Sequence, residues 1–123
     1  MKTEFVTYEQ AVKLKELGFD EPCMFVHDTW GNTKNWTEDG EGEHRNSDKN
    51  ASIYYSAPLK QQVFRWFREK YEYWSYNKEA TKGTCRFYIE KFDEKFFNSG
   101  LFGSYEEAES ACIDKLIEII KNK

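Results

Sequence analysis

The chain has 123 residues, a net charge of −4 and 18% aromatic side chains. That length fits one compact domain, residues 1–123, and so many large rings favour an aromatic-rich core over a disordered polymer. No apolar run reaches the roughly 18 residues that a membrane helix needs, and Cys23, Cys85 and Cys112 are too few and too scattered for a disulfide scaffold.

The segment from Thr7 to Phe19, "TYEQAVKLKELGF", reads as a first helix. Thr7 is placed to cap it, Gln10 completes a capping box, and Gly18 ends it. Pro22 blocks continuation, and Cys23 to His27 forms a short strand candidate. Asp28 to Asn50 then carries three Gly, four Asn and six acids without apolar periodicity. It reads as a long flexible loop at 28–50, of a length that in a compact domain is either functional or disordered. Trp30 and Trp36 are unusual in such a segment. Either they fold back onto the domain or they wait for a partner.

"ASIYYS" reads as a second strand. A second helix follows to about Tyr71, with Ser56 as its cap and Pro58 in its first turn. On a helical wheel Leu59, Val63, Phe64, Trp66, Phe67 and Tyr71 share one arc of about 160°. Gln61, Gln62, Arg65, Arg68 and Glu69 fill the opposite arc, so cations and rings that alternate in sequence separate in space.

"EYWSYN" and "TCRFYIEKF" suggest an antiparallel strand pair joined by "KEATKG", with a short strand at Lys95 to Phe97. In the second strand Cys85, Phe87 and Ile89 share one face, and Arg86, Tyr88 and Glu90 share the other. Ser104 caps a last helix, Glu107 offers a capping box, and the stripe is Tyr105, Ala108, Cys112, Leu116, Ile119 and Ile120. The expected fold is α+β: an antiparallel sheet of about four strands packed with three helices, in the order α-β-β-α-β-β-α, with the long polar loop between the first two strands.

Catalytic patterns are missing. No phosphate-binding glycine loop, nucleophile elbow or zinc spacing is present, so no catalytic residue, cofactor or metal ligand is assigned. His27 reads as a hydrogen-bonded structural side chain, and Cys85 and Cys112 lie on apolar faces. An odd cysteine count and an N-terminus without an apolar leader lead us to expect reduced thiols in the cytoplasm.

The segments "TYEQAVKLKELGFDEPC", "APLKQQVFRWFREKY" and "YEEAESACIDKLIEII" resemble a group of small uncharacterised proteins of Bacteroidales phages, prophages and related mobile elements. The resemblance implies a bacterial or phage-infected cytoplasm. It carries no activity and no site residue.

The expectation is therefore a non-enzymatic accessory protein that binds another protein. Trp30, Trp36 and Arg45 are its candidate contacts, because Trp and Arg are common interface anchors. The alternative is a nucleic-acid face on an open side of the sheet, showing Tyr73, Arg86 and Tyr88 with Phe92 beside them, where rings and a cation would stack bases. Against it, residues 60–95 carry only nine bases to six acids, a weak basic footprint, and "KGTCRFYI" puts Thr84 where the RNA-recognition pattern has an aromatic. A structural homo-oligomer is a third reading.

Overall fold

A computed structural model describes residues 4–36, 42–47, 54–91 and 94–122. The chain is α+β, in the order α-β-β-β-α-β-β-β-α. The elements are α1 (Tyr8–Glu16), β1 (Phe25–Asp28), β2 (Thr33–Asn35), β3 (Tyr54–Ser56), α2 (Lys60–Tyr71), β4 (Tyr73–Thr81), β5 (Thr84–Lys91), β6 (Glu94–Asn98) and α3 (Tyr105–Lys121). In place of one sheet of about four strands, the described residues form two antiparallel sheets of three. They fall in two compact units, Met1–Leu59 and Lys60–Lys123.

In the first unit, α1 starts where the sequence places it. Thr7 Oγ1 accepts from the Gln10 backbone N–H at 3.1 Å, and Gln10 Oε1 accepts from the Thr7 N–H at 3.0 Å. These bonds satisfy two donors at a helix end that has no intrahelical partners for them. Gly18, at φ 93°, lets the chain reverse so that the Phe19 N–H reaches back to the Leu14 carbonyl at 2.9 Å. Val6, Ala11, Leu14, Phe19 and Val26 are buried.

The sheet order is β2-β1-β3. β2 lies inside the segment expected to be a long loop. The β1–β2 turn is built on Asp28, whose Oδ1 accepts from the backbone N–H groups of Trp30 and Asn32, both at 2.9 Å. Those donors, Asn32 foremost, hold the Asp28 carboxyl below its ordinary pKa. Residues 42–47 are also tied down. His44 and Cys23 exchange two backbone hydrogen bonds of 2.8 Å, and Asn46 bridges the Phe19 carbonyl and the Ser56 N–H, each at 2.9 Å. Residues 37–41 and 48–50 of the expected loop, and 51–53 of the expected strand, lie outside the described residues.

Ser56 does not cap α2. It sits in β3, and its hydroxyl is 2.7 Å from His44 Nδ1. α2 begins only at Lys60, after Pro58 and Leu59, and Leu59 leaves the apolar arc for an exposed position.

The second unit has the sheet order β4-β5-β6. Its registers, Ser75↔Ile89, Asn77↔Phe87 and Glu79↔Cys85, put these residues on one face. α2 and α3 both contact β4, and α3 contacts β5. Cys85, Phe87 and Ile89 are buried, together with Val63, Trp66 and Phe67 of α2. The core side of α3 is Ala108, Cys112, Ile113, Leu116 and Ile117. The stripe is thus rotated from the expected one. Tyr105 is exposed, and Ile113 and Ile117 are buried instead of Ile119 and Ile120, which are only half-buried. Ser104 caps α3, accepting from the Glu107 N–H at 3.1 Å. β4 runs on to Thr81 through the expected "KEATKG" linker, and Lys82 and Gly83 alone make the turn.

Among the described residues, no helix is long and apolar enough to cross a membrane.

Candidate binding surfaces

A two-residue alternation gives β4 and β5 a second face, formed by the register pairs Trp74↔Glu90, Tyr76↔Tyr88 and Lys78↔Arg86. Trp74 is 56% exposed and Tyr76 46% exposed, unusual for rings of this size. The Tyr76 and Tyr88 rings stack at 5.0 Å with 17° between their planes. The Tyr76 hydroxyl donates to Glu90 Oε1 at 3.2 Å. Desolvation, and then the nearby Glu90 charge, push the Tyr76 phenol above its ordinary pKa. The guanidinium of Arg68, on α2, lies 5.1 Å from the Trp74 ring centre. The Nε of Arg86 is buried and has no hydrogen-bond partner in the described structure. The result is an outer sheet face of rings and cations with one carboxylate among them.

Of the residues expected on this face, Arg86 and Tyr88 are there. Tyr73 is not: it is buried on the opposite side, paired with Lys91, whose ammonium lies 5.0 Å from its ring centre. Trp74 and Tyr76 take its place. The expectation had the phase of β4 reversed, and a slip of one residue moves every side chain of a strand to the other face. The phase is set at the α2–β4 joint, where Glu72 alone makes the turn at φ 64°. Phe92 lies outside the described residues.

The three loop candidates do not form one surface. Trp30 is 73% exposed at the β1–β2 turn. Trp36 is buried, edge-on to His44 at 4.9 Å and to Tyr54 at 5.0 Å. It is therefore one of the rings that fold back. Arg45 is exposed, and its Nη1 donates to the Asp20 carbonyl at 2.8 Å. His27 is the structural side chain expected: Nε2 lies 2.8 Å from the Val6 carbonyl and Nδ1 lies 3.0 Å from the Thr33 hydroxyl. A carbonyl only accepts, so Nε2 carries the proton and Nδ1 accepts.

A second feature of the same unit escaped the sequence reading. A cleft of about 270 Å³ opens between α2, β4 and α3. On α2 it is lined by Gln61, Arg65 and Arg68, spaced i, i+4, i+7 on one side of the helix. Tyr105, Glu109 and Cys112 repeat that spacing on α3. Glu109 is only 8% exposed, and the Gln61 amide donates to its Oε2 at 2.7 Å. Burial raises the Glu109 carboxyl above its ordinary pKa, while the charge of Lys60 and the Gln61 hydrogen bond act against that. Partial desolvation raises the Tyr105 phenol, opposed by a hydrogen bond with Asn77. The Cys112 thiol is pushed up to about 12 by burial, which leaves it protonated and inert as a nucleophile near neutral pH. Glu109 was missed because it falls outside the apolar stripe read for α3. Its place four residues after Tyr105 and three before Cys112 was the available signal.

Among the described residues, no group of three His, Cys, Asp or Glu side chains is placed to hold a metal ion. Comparison with protein-family models, with curated proteins and with solved structures found no match for this chain.

Proposed function

We propose that this protein is a small binding module of the phage-accessory kind and that it docks another protein on the outer face of β4 and β5. The observation that carries the reading is the pair Trp74 and Tyr76, two large rings left open on a sheet face between Arg68 and Arg86. Trp, Tyr and Arg dominate interface energies because they bury large area at little entropic cost and keep a polar handle. Trp30 offers a separate anchor in the first unit.

Charge supports a protein partner. Residues 1–59 hold six bases and eleven acids, and residues 60–123 hold twelve bases and eleven acids. The half with the aromatic face is thus nearly neutral, which suits a mixed protein surface better than a polyphosphate.

The test is affinity capture from a phage-infected host with the wild-type chain and with the Trp74→Ala, Arg86→Ala double variant. A partner retained by the wild type and lost by the double variant is the expected result. The same partner held equally by both would remove this face from consideration. Trp30→Ala is the clean probe of the β1–β2 turn, because deleting Thr33 to Lys49 would also remove β2 and the His44 bridge.

One observation favours a second reading, single-stranded nucleic acid. The stacked Tyr76–Tyr88 pair is flanked by Lys78 and Arg86, and aromatic rings beside cations are how single strands are held. Fluorescence titration with oligonucleotides at two salt concentrations separates the readings. Binding that weakens steeply with salt is the nucleic-acid outcome.

A further inference from the structure

The outer face of β4 and β5 carries two of its cations as a pair. Lys78 and Arg86 are directly opposed in the register, and strand alternation puts both side chains on the face of Tyr76 and Tyr88. Opposed Cα atoms in such a ladder lie only about 5 Å apart, and like charges in those positions weaken a strand pair. No acid offsets the repulsion. Among the described residues neither Lys78 nor Arg86 has a hydrogen bond or an ion pair, and the covered Nε of Arg86 meets no acceptor. The nearest carboxylates in the register are placed elsewhere. Glu79 pairs with Cys85, on the opposite face. Glu90 stands at the far end of the outer face, opposite Trp74, and accepts from the Tyr76 hydroxyl at 3.2 Å. Lys82, in the β4–β5 turn, adds an exposed cation at the Lys78 end.

We infer that the Lys78–Arg86 pair receives a carboxylate from an acidic segment of a protein partner, an Asp or Glu side chain with apolar ones close to it in sequence. This assignment rests on the outer face being the docking surface proposed above, and it adds the chemistry of what docks there. A carboxylate accepts up to about four hydrogen bonds, so one group can serve an ammonium and a guanidinium together. The guanidinium offers a two-point fork and the ammonium a point charge. The same face sets the distance to the apolar contacts. At about 3.4 Å per strand residue, the Tyr76–Tyr88 stack lies about 7 Å along the strand from the cation pair, and Trp74 about 14 Å. An extended partner segment with apolar side chains about two and four residues from its acid matches both intervals. A nucleic-acid strand fits less well, because the Glu90 carboxylate stands beside Tyr76 and Trp74, where its further phosphates would pass.

The probe is a displayed library of random dodecapeptides selected on the full-length chain, with enriched sequences then made as labelled free peptides and titrated by fluorescence anisotropy. The expected peptides carry Asp or Glu near apolar residues, and each loses at least about tenfold in affinity when its acid is replaced by the matching amide. Lys78→Glu puts a carboxylate opposite Arg86, so this variant should fold and melt at or above the wild-type temperature. It should weaken the acidic peptides by about tenfold or more and scarcely change the amide peptides, a coupling that ties the acid to the cation directly. The inference is overturned if the enriched peptides lack an acid, if Lys78→Glu weakens acid and amide peptides equally, or if no selected peptide depends on Lys78. Peptides lost on Trp74→Ala but bound equally by Lys78→Glu would refute the acid and leave the docking face standing. Peptides indifferent to both would refute the face as well. A single-stranded oligonucleotide that binds more tightly than every peptide, and is weakened by Lys78→Glu, would assign the cation pair to phosphate instead.

Discussion

Glu109 shows how a single side chain can be chemically distinctive without belonging to a recognisable motif. Its carboxyl is raised mainly by burial, so the folded protein holds that proton more tightly than the unfolded chain does. The native state then binds more protons across the interval from the ordinary carboxylate value upward, and stability falls as pH rises through it. Denaturant melts across that interval should show this loss, and Glu109→Gln should flatten the slope because nothing remains to titrate there. An unchanged slope would mean that Lys60 and Gln61 fully offset the burial. The sequence disclosed the types of the neighbouring residues but not their meeting, since Gln61 and Glu109 are 48 positions apart. His27 was legible as a structural side chain because no catalytic or metal-ligand spacing accompanies it, but its partners, the Val6 carbonyl and the Thr33 hydroxyl, were not.

The elements divide by how much of their definition is local. α1 and α3 were legible because capping chemistry marks their starts within four residues, and β5 because the apolar residues Cys85, Phe87 and Ile89 recur at every second position. β3 was expected within "ASIYYS", but β2 was not, because three residues in a polar segment are too few to show a period, and it pairs with β1 rather than with β3. The face of β4 was misread for a different reason: its phase depends on one backbone dihedral at Glu72. That residue holds a left-handed conformation, φ 64°, in which a side chain crowds the backbone. Glycine is the residue of choice just past a helix C-terminus in this geometry. Glu72→Gly should therefore raise stability in denaturant melts by up to about 1 kcal/mol, after allowing for the freer unfolded chain. A loss of stability would show that the Glu72 side chain makes a contact worth more than the relieved strain.

At the scale of the whole molecule, two cores share 123 residues. Units near 60 residues bury only about 60% of the surface that their unfolded chains expose, so each needs large side chains to close its interior. The aromatic abundance read from composition is thus required twice over, once around Phe19 and Val26 and once around Phe67, Phe87 and Ile113. Phe19→Ala and Phe67→Ala should each cost about 3–5 kcal/mol, a large share of the stability of a small protein. Hydrogen exchange should locate each loss first in the unit that holds the residue; uniform loss from both substitutions would instead indicate one cooperative unit. Arg68, finally, belongs to two surfaces at once: it lines the cleft and its guanidinium lies over the exposed ring of Trp74. A carboxylate that draws that guanidinium inward strips a positive charge from the face of an indole. Trp74 is thereby a natural optical reporter of where the Arg68 side chain lies, once the other three tryptophans are replaced by residues that do not emit.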